Sequence, residues 1–303
     1  DCDVMVCIGA RFDDRITGKL SEFAREAKVI HVDIDPAEQG KVRKPDVPIV
    51  GDAKYVTEEI IKAIKDLLQH DTTQADTGAW RSKISGWREQ FPLSYEASEP
   101  GEALKPQFCL EQLRDNAPEG TILVSGVGQH QMWSSQYWTF NEPYTWVNSG
   151  GLGTMGFSIP AAIGAKVGRP DRTVWAIDGD GCFQMTAQEL VTAAVERIPI
   201  KVAILNNRYL GMVRQWQELI YQGRYSHSYM DALPNFVKLA EAYGHVGMLV
   251  ERPQDVEAAL REARSIKDRC VFIDVRTDPT ENVWPMVQAG KGITEMLLGS
   301  EDL

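Results

Sequence analysis

Short apolar runs alternate with longer amphipathic stretches along most of the chain. After Pro106, apolar residues spaced three and four apart predict helices at 107–116, 129–138, 158–167, 186–197, 235–243 and 254–266, and one more from about Gly211. Runs rich in β-branched residues predict strands at 121–125, 145–148, 173–177, 201–205, 246–250 and 271–275. This alternation is typical of βαβ units, so the predicted fold class is α/β with a doubly wound parallel sheet.

The first 70 residues show a shorter version of the same pattern. Apolar runs at 3–9 and 29–35 predict two buried parallel strands, with helices near 20–27 and 54–68. So few strands cannot complete a sheet covered on both faces, and we expect further sequence before Asp1. Residues 71–105 are polar and predict a linker, followed by a second domain at 106–280 and a tail at 281–303.

Charge and cysteine content narrow the class of protein. The chain has 43 acidic and 32 basic residues, a net charge of -11, and no basic block, which argues against nucleic-acid and membrane-surface partners. No run approaches the roughly 18 apolar residues of a membrane span, and the N-terminus lacks the basic head of a signal peptide. We expect a cytoplasmic protein, or an organelle-matrix protein whose transit peptide was removed. The five cysteines form no C-x-x-C pair, so free thiols are expected.

Two polar loops follow consecutive predicted strands and carry the strongest chemical signal. Asp178-Gly-Asp-Gly-Cys-Phe183 closes one strand, and Asn206-Asn207 closes the next. Carboxylate and amide oxygens suit Mg²⁺, which is usually held by one or two protein oxygens together with phosphate oxygens and water. Asp180, Asn207 and a main-chain carbonyl two residues later would form such a site. Gly-Asp-Gly alone is equally consistent with an ordinary turn.

The paired loops resemble the thiamine-diphosphate signature of the decarboxylase and carboligase superfamily. Segments beginning at Gly9, Gly126, Ser149 and Gly211 look like those of the acetohydroxyacid synthase (acetolactate synthase) family, in the family's order. The resemblance covers essentially the whole chain, as the C-terminal half of a catalytic subunit. It implies that Asp180, Asn207 and the carbonyl of Tyr209 bind Mg²⁺.

The same resemblance implies a set of thiamine-diphosphate contacts. They are Val127, Gly128, Gln129, His130, Gly153, Met155, Gly179, Gly181, Cys182 and Met212. Gln129 and His130 would lie beside the diphosphate at a helix N-terminus, and Met155 would support the bent cofactor, although core packing is the commoner role for such a methionine. The glycines from Gly151 to Gly156 also fit a nicotinamide-binding motif, but no acid closes the next strand in the place that motif requires.

In the first 70 residues, the resemblance implies part of a central FAD-binding domain. Arg11, Asp13, Asp33 and Asp52 would lie near the flavin, whereas a solvated charge cluster is the alternative for the loop from Arg11 to Arg15. Arg15 would reach the mouth of the active site and Trp216 would shape the substrate pocket, although a tryptophan at helical spacing is ordinarily core. His31, His227 and His245 are expected to have structural roles.

The implied reaction decarboxylates pyruvate and joins the hydroxyethyl unit to a second 2-oxo acid, pyruvate or 2-oxobutyrate, in branched-chain amino-acid synthesis. The family's catalytic glutamate precedes this chain, so we expect no catalytic residue here and an inactive chain when it is alone. A homodimer or higher oligomer is implied, with a possible small regulatory subunit. The alternatives are another thiamine-diphosphate decarboxylase, carboligase or oxidase, or a noncatalytic nucleotide-binding module, which would not bind thiamine diphosphate.

Overall fold

A computed structural model describes residues 2–70, 76–98 and 101–302, and these residues form two compact units. The first comprises residues 1–92 with 284–303, and the second comprises residues 93–283. The predicted domain bounds differ from this division and stay a prediction. Residues 71–75 and 99–100 of the predicted linker lie outside the described residues.

The first unit contains a small parallel sheet. Its strands are β1 (Val4–Ile8), β2 (Lys28–Asp33) and β3 (Val47–Val50), in the order β1-β2-β3. Its helices are α1 (Asp14–Thr17), α2 (Ala53–His70) and α3 (Gly78–Gln90). Phe12, Phe23 and Val29 form a small buried core beside the sheet.

The second unit contains a six-stranded parallel sheet with helices between the strands. Its strands are β4 (Ile122–Ser125), β5 (Trp146–Asn148), β6 (Val174–Gly179), β7 (Lys201–Asn206), β8 (Val246–Val250) and β9 (Val271–Arg276). Its helices are α4 (Pro106–Asn116), α5 (Gln129–Tyr137), α6 (Ser158–Gly168), α7 (Asp180–Phe183), α8 (Leu190–Val195), α9 (Gly211–Leu219), α10 (Phe236–Ala242) and α11 (Pro253–Ser265). The predicted doubly wound α/β fold is confirmed.

The strand order β5-β4-β6-β7-β9-β8 determines where a ligand can bind. From β4 the chain moves to β5 on one side and then to β6 on the other, so the connections diverge between β4 and β6. Ligands of open α/β sheets bind at the carboxyl ends of strands at such a switch point. Strands β6 and β7 have apolar centres and are buried along their whole length, including the polar residues at their ends, as expected for central parallel strands.

Several predicted elements differ in detail from those observed. The helix predicted near 20–27 is a single 3-10 turn at Leu20–Glu22, and the one predicted at 186–197 is a 3-10 turn followed by the short helix α8. Strand β3 was not predicted, because a four-residue run containing Pro48 has no clear alternation. Among the described residues, no helix is both long and apolar enough to cross a membrane.

Candidate functional site

The loops that carry the predicted chemistry meet at the carboxyl edge of the six-stranded sheet. Ser125 at the end of β4 pairs with Ile177 of β6, and Gly179 at the end of β6 pairs with Leu205 of β7. The loops that follow these three strands are therefore neighbours. Their position at the switch point matches the place where this class of sheet binds ligands.

Asp180 is the first residue after β6 and is buried, with 1% of its surface exposed. Its Oδ1 accepts a hydrogen bond from the Gly181 amide at 3.0 Å, whereas its buried Oδ2 has no hydrogen-bond partner among the described residues. Burial raises the pKa of this carboxyl to about 7, because the charged form loses its hydration. Phe183 at the other end of α7 packs against Phe236 and Phe272, which anchors this turn to the core.

Asn207 follows β7, and hydrogen bonds hold both the nitrogen and the oxygen of its carboxamide in place. Its Nδ2 donates to Gln129 Oε1 at 3.1 Å, and its Oδ1 accepts from the Tyr209 amide at 3.0 Å. The neighbouring Asn206 instead donates to Asp274 Oδ1 at 2.8 Å, which ties β7 to β9. Of the Asn pair, only Asn207 is therefore available to the site.

Tyr209 completes the turn after β7. Arg208 has a φ of 61°, a left-handed conformation that tightens the turn, and its backbone amide offsets part of the rise in the pKa of Asp180 that burial causes. The antiparallel bridge to Tyr229 uses the Arg208 carbonyl and the Leu210 amide, so the Tyr209 carbonyl lies outside that bridge. The structure thus brings the turns that contain the three predicted metal ligands to one edge.

These oxygens fit a hard divalent cation. A buried carboxylate oxygen without a protein donor is costly unless a cation or proton satisfies it. Carboxylate, amide and carbonyl oxygens are also the donor set that Mg²⁺ accepts in proteins. The chemistry of Asp180, Asn207 and the Tyr209 carbonyl is consistent with the predicted magnesium site.

The side chain of Gln129 lies in a buried polar network, with 3% of the residue exposed. Besides accepting from Asn207, it donates to Gln215 Oε1 at 2.9 Å and to the Glu281 carbonyl at 3.1 Å. Gln215 in turn exchanges hydrogen bonds with both backbone groups of Val283. Gln129 was expected beside the diphosphate, but its carboxamide is committed to Asn207, and its backbone amide at the start of α5 remains suited to an anion.

The ring of His130 is packed against glycines. A Cβ added at Gly179 would lie 2.9 Å from His130 Nδ1, and one added at Gly126 would lie 2.9 Å from Nε2. Gly128 has a φ of 152° and leaves only 3.0 Å between an added Cβ and the ring. Burial lowers the pKa of His130 to about 3, so the imidazole is neutral at physiological pH. Gly126, Gly128 and Gly179 therefore make room for the histidine.

His130, Asp178 and Cys182 form a second buried cluster. Their ligand atoms lie within 4.8 Å of one another, close enough in principle to hold a metal ion. Cys182 Sγ, however, accepts hydrogen bonds from the amides of Val127 at 3.4 Å and Gly156 at 3.1 Å.

Burial raises the pKa of the Cys182 thiol to about 12, so the thiolate that a metal would need is scarce. Asp178, whose pKa burial raises to about 6, accepts from Ser158 Oγ and the Gly179 amide. We interpret the cluster as a buried joint, meaning a set of hydrogen bonds that holds together the loops after β4, β5 and β6. Cys182 thereby connects the predicted cofactor loops.

The remaining predicted contacts lie around this joint. Gly153 has a φ of 65°, and a Cβ there would be 3.9 Å from Val127 Cγ1, so the loop after β5 lies beside the loop after β4. Met155, half-buried, precedes Gly156, whose amide contacts Cys182. A Cβ at Gly181 would come within 2.8 Å of Leu210 Cδ2. Met212 and Trp216 are half-buried, one turn apart on α9.

In the first unit, the predicted residues gather at the carboxyl edge of the small sheet. Arg11 pairs with Asp13 at 2.9 Å, and Asp13 caps α1 through the Ile16 amide. Asp33 ends β2 and accepts from the Asp35 amide, while Asp52 follows β3 and caps α2. These contacts give the three acids local structural roles, and Arg15 is exposed on α1.

The histidines match the structural roles predicted for them where contacts are described. His31 is fully buried with Nε2 2.8 Å from the Ala10 carbonyl, and His245 Nε2 lies 3.1 Å from the Leu190 carbonyl. Sequence reasoning did not identify Asp178, Ser158 or Gln215. The buried acid directly before Gly-Asp-Gly was a usable signal for Asp178, whereas the partners of Gln215 lie 68 and 86 residues away in sequence.

Comparisons with known proteins agree with this geometry. Residues 126–275 match the family model described as thiamine pyrophosphate enzyme, C-terminal TPP binding domain, and residues 1–62 match the central domain of the same enzymes. The chain belongs to the thiamine pyrophosphate enzyme family. Its second unit therefore contains a domain of the kind that binds thiamine diphosphate.

Within this family, the chain is similar to acetolactate synthases. It is 51% identical over 298 residues to the acetolactate synthase of Mycobacterium bovis, covering 97% of this chain and 48% of that protein. It is 49% identical to the acetolactate synthase large subunit of Corynebacterium glutamicum, covering 97% of this chain and 47% of that protein. For the isozyme 3 large subunit of Escherichia coli the identity is 44%, with 100% and 52% coverage. The chain thus spans about half the length of these relatives.

Proposed function

We propose that the carboxyl edge of the six-stranded sheet anchors thiamine diphosphate through Mg²⁺. The observation that supports this most directly is the buried Asp180 Oδ2, which lacks a protein donor at the end of β6. Asp180, Asn207 and the Tyr209 carbonyl would hold the metal. Gln129 would act on the metal indirectly, by orienting the Asn207 carboxamide.

The other residues of the edge would hold the organic part of the cofactor. The backbone amides of Gln129 and His130 at the start of α5 would face the diphosphate, because a helix N-terminus favours an anion. Met155 and Met212 would provide apolar contacts. When bound, thiamine diphosphate supplies a carbon nucleophile that cleaves and forms bonds next to a carbonyl group.

We further propose that the longer protein is an acetolactate synthase acting on pyruvate, with pyruvate or 2-oxobutyrate as acceptor. The relatives at 44–51% identity support this. Trp216 on α9 would shape the acceptor pocket and Arg15 would bind its carboxylate. The residues Arg11, Asp13, Asp33 and Asp52 would bind FAD. The catalytic glutamate would come from sequence outside this chain.

The assembly and cellular setting follow from the same proposal. A homodimer or higher oligomer would complete each active site, and a small regulatory subunit would modulate it. The relatives named above are bacterial, which favours the cytoplasm over an organelle matrix.

Reconstitution tests the proposed reaction. The chain, joined to the preceding half of the Corynebacterium glutamicum relative, is incubated with pyruvate, Mg²⁺ and thiamine diphosphate, and acetolactate is measured. We expect acetolactate from the joined protein, none from the chain alone, and none from an Asp180→Ala version. A joined protein that folds and binds the cofactor but releases acetaldehyde instead of acetolactate would overturn the assignment to the synthases.

A further inference from the structure

A cavity of about 530 Å³ lies at the amino-terminal edge of the six-stranded sheet, the edge opposite the proposed cofactor site. Thr173 directly before β6, Lys201 at the start of β7 and Lys267 before β9 lie around it. A strand of six residues spans roughly 20 Å, so the cavity and the loop of Asp180 are about that far apart. The volume is in the range of small-molecule sites.

Positive charge dominates the cavity although the whole chain has a net charge of -11. Five cationic side chains line it, against one acid; they are Lys166, Arg172, Arg197, Lys201 and Lys267, and the acid is Asp171. Asp171 is already paired with Arg169 at 2.9 Å, and Arg172 is paired with Glu142 at 3.0 Å. In the described parts of the chain, the other four cations have no carboxylate oxygen within 4.0 Å of a side-chain nitrogen.

Lys201 is the most informative of these residues. It is 4% exposed, and its ammonium donates to the Ile266 carbonyl. Burial lowers the pKa of Lys201 to about 8, together with the charges of Lys267 and Lys166 and in part offset by Cys270 and Asp268. A buried ammonium without a carboxylate destabilises the fold, and neighbouring cations add to this cost. A bound anion would relieve both effects.

The cations could serve to neutralise the partial negative charge at the carboxyl ends of nearby helices, but this does not account for all of the positive charge. Helices α6, α8 and α11 end near the cavity, and Lys166 donates to the carbonyls of Pro170 and Arg172 just beyond α6. Each helix end contributes about half a negative charge, so three ends contribute roughly one and a half. Four cations without carboxylate partners exceed that amount.

We propose that this basic cavity binds a small phosphorylated anion. The lysines and arginines that line the cavity can provide charge-assisted hydrogen bonds to phosphate oxygens. Ile198, Pro199 and Ile266 add apolar lining that would contact the organic part of a phosphate ester. This site is separate from the proposed cofactor site and does not depend on the proposed reaction.

Titration calorimetry with inorganic pyrophosphate tests this proposal. The 303-residue chain is titrated at constant ionic strength in EDTA, which removes the metal required at the opposite edge. We expect saturable binding of one pyrophosphate, weakened about tenfold by Lys201→Met or Lys166→Met, since each removes a charge-assisted contact. Lys238→Met, which removes an exposed lysine of α10 in the same unit, should leave the affinity unchanged.

Two exposed residues of the cavity, Arg197 and Lys267, allow the proposal to be tested even if a variant of a buried residue fails to fold. Arg197→Gln and Lys267→Gln change solvent-facing side chains and should each weaken binding severalfold. Circular dichroism confirms that each variant is folded. No saturable binding by the unchanged chain, or equal affinity in Lys166→Met, Arg197→Gln and Lys238→Met, would overturn the proposal.

Discussion

The two edges of the six-stranded sheet bury charges of opposite sign. At the carboxyl edge, Asp180 is 1% exposed with a pKa raised to about 7, and at the amino edge, Lys201 is 4% exposed with a pKa lowered to about 8. Neither has an ion-pair partner in the described part of the chain. An unpaired buried charge lowers the stability of the fold. The presence of such a charge at each edge is therefore better explained by the binding of a ligand of opposite charge than by a contribution to folding. The two edges can be tested separately.

The largest effect is expected at Asp180 in the metal-free protein. Its folded pKa of about 7 lies above the ordinary 3.8, so the unfolded chain ionises first and stability falls as pH rises from about 4 to about 7. The shift corresponds to on the order of 4 kcal/mol. Urea denaturation in EDTA should show Asp180→Asn to be more stable than the unchanged chain at pH 8 and no more stable at pH 3.5. Equal pH dependence of both would contradict this account.

The amino edge should show the opposite dependence. The folded pKa of Lys201, about 8, lies below the ordinary 10.5, so this residue destabilises the fold most below pH 8 and stability recovers as pH rises towards 10.5. The cost is on the order of 3 kcal/mol below pH 8. Lys201→Met should raise the denaturation midpoint at pH 7, and the gain should shrink by pH 10. An exposed control, Lys238→Met, should change neither value.

Two glycines, Gly126 at the carboxyl edge and Gly168 near the amino edge, differ in how closely they are packed. A Cβ at Gly126 would meet Asp178 Oδ1 at 2.2 Å and Cys182 Sγ at 2.7 Å, whereas one at Gly168, at the end of α6, would meet nothing within 4 Å. Gly126→Ala should therefore cost about 1–3 kcal/mol of unfolding free energy. Gly168→Ala should be neutral or stabilise by up to about 1 kcal/mol. Thermal denaturation of both variants measures the difference, and a neutral Gly126→Ala would refute the buried joint.

The smallest effect concerns the orientation of Asn207. Gln129→Leu removes the acceptor that fixes the Asn207 Nδ2, so the affinity for Mg²⁺ with thiamine diphosphate should fall about tenfold. In an Asn207→Asp background both side-chain oxygens can bind the metal, and Gln129→Leu should then have no effect on affinity.

Titration calorimetry of the four proteins forms a double-mutant cycle. A general loss of folding would lower affinity in both backgrounds and would refute a role in orientation. Gln39→Leu removes two comparable glutamine-to-backbone hydrogen bonds in the first unit and serves as control.

Local patterns predicted those parts of the molecule that depend on neighbouring residues. The order of strands and helices, and the loops containing Asp180 and Asn207, followed from periodicity and from polar residues after apolar runs. The role of Gln215 did not, because its partners Gln129 and Val283 are distant in sequence. The helix predicted at 186–197 is broken in the structure.

The basic cavity was also missed, for a related reason. Its cations come from the ends of α6, α8 and α11, from the loop before β6 and from the start of β7, and no two of them form a charged run in the sequence. The sequence-wide charge of -11, with no basic block, argued only against nucleic-acid and membrane-surface partners and did not indicate a basic site. The net charge of a chain determines its long-range electrostatic field, but it does not show whether cations cluster locally. Here the cluster arises only when loops that are distant in sequence pack together.

Thiamine diphosphate binding with and without Mg²⁺ tests the central claim most directly. Calorimetry of the chain and of Asp180→Ala at pH 7.5 compares the two proteins. The account predicts a saturable binding step that requires Mg²⁺ and is abolished by the substitution. Any metal-independent binding of the diphosphate at the basic cavity should be unchanged in Asp180→Ala and weakened by Lys166→Met. Binding of equal affinity in EDTA, or in a folded Asp180→Ala, would contradict the assignment of the carboxyl edge to a metal-anchored diphosphate.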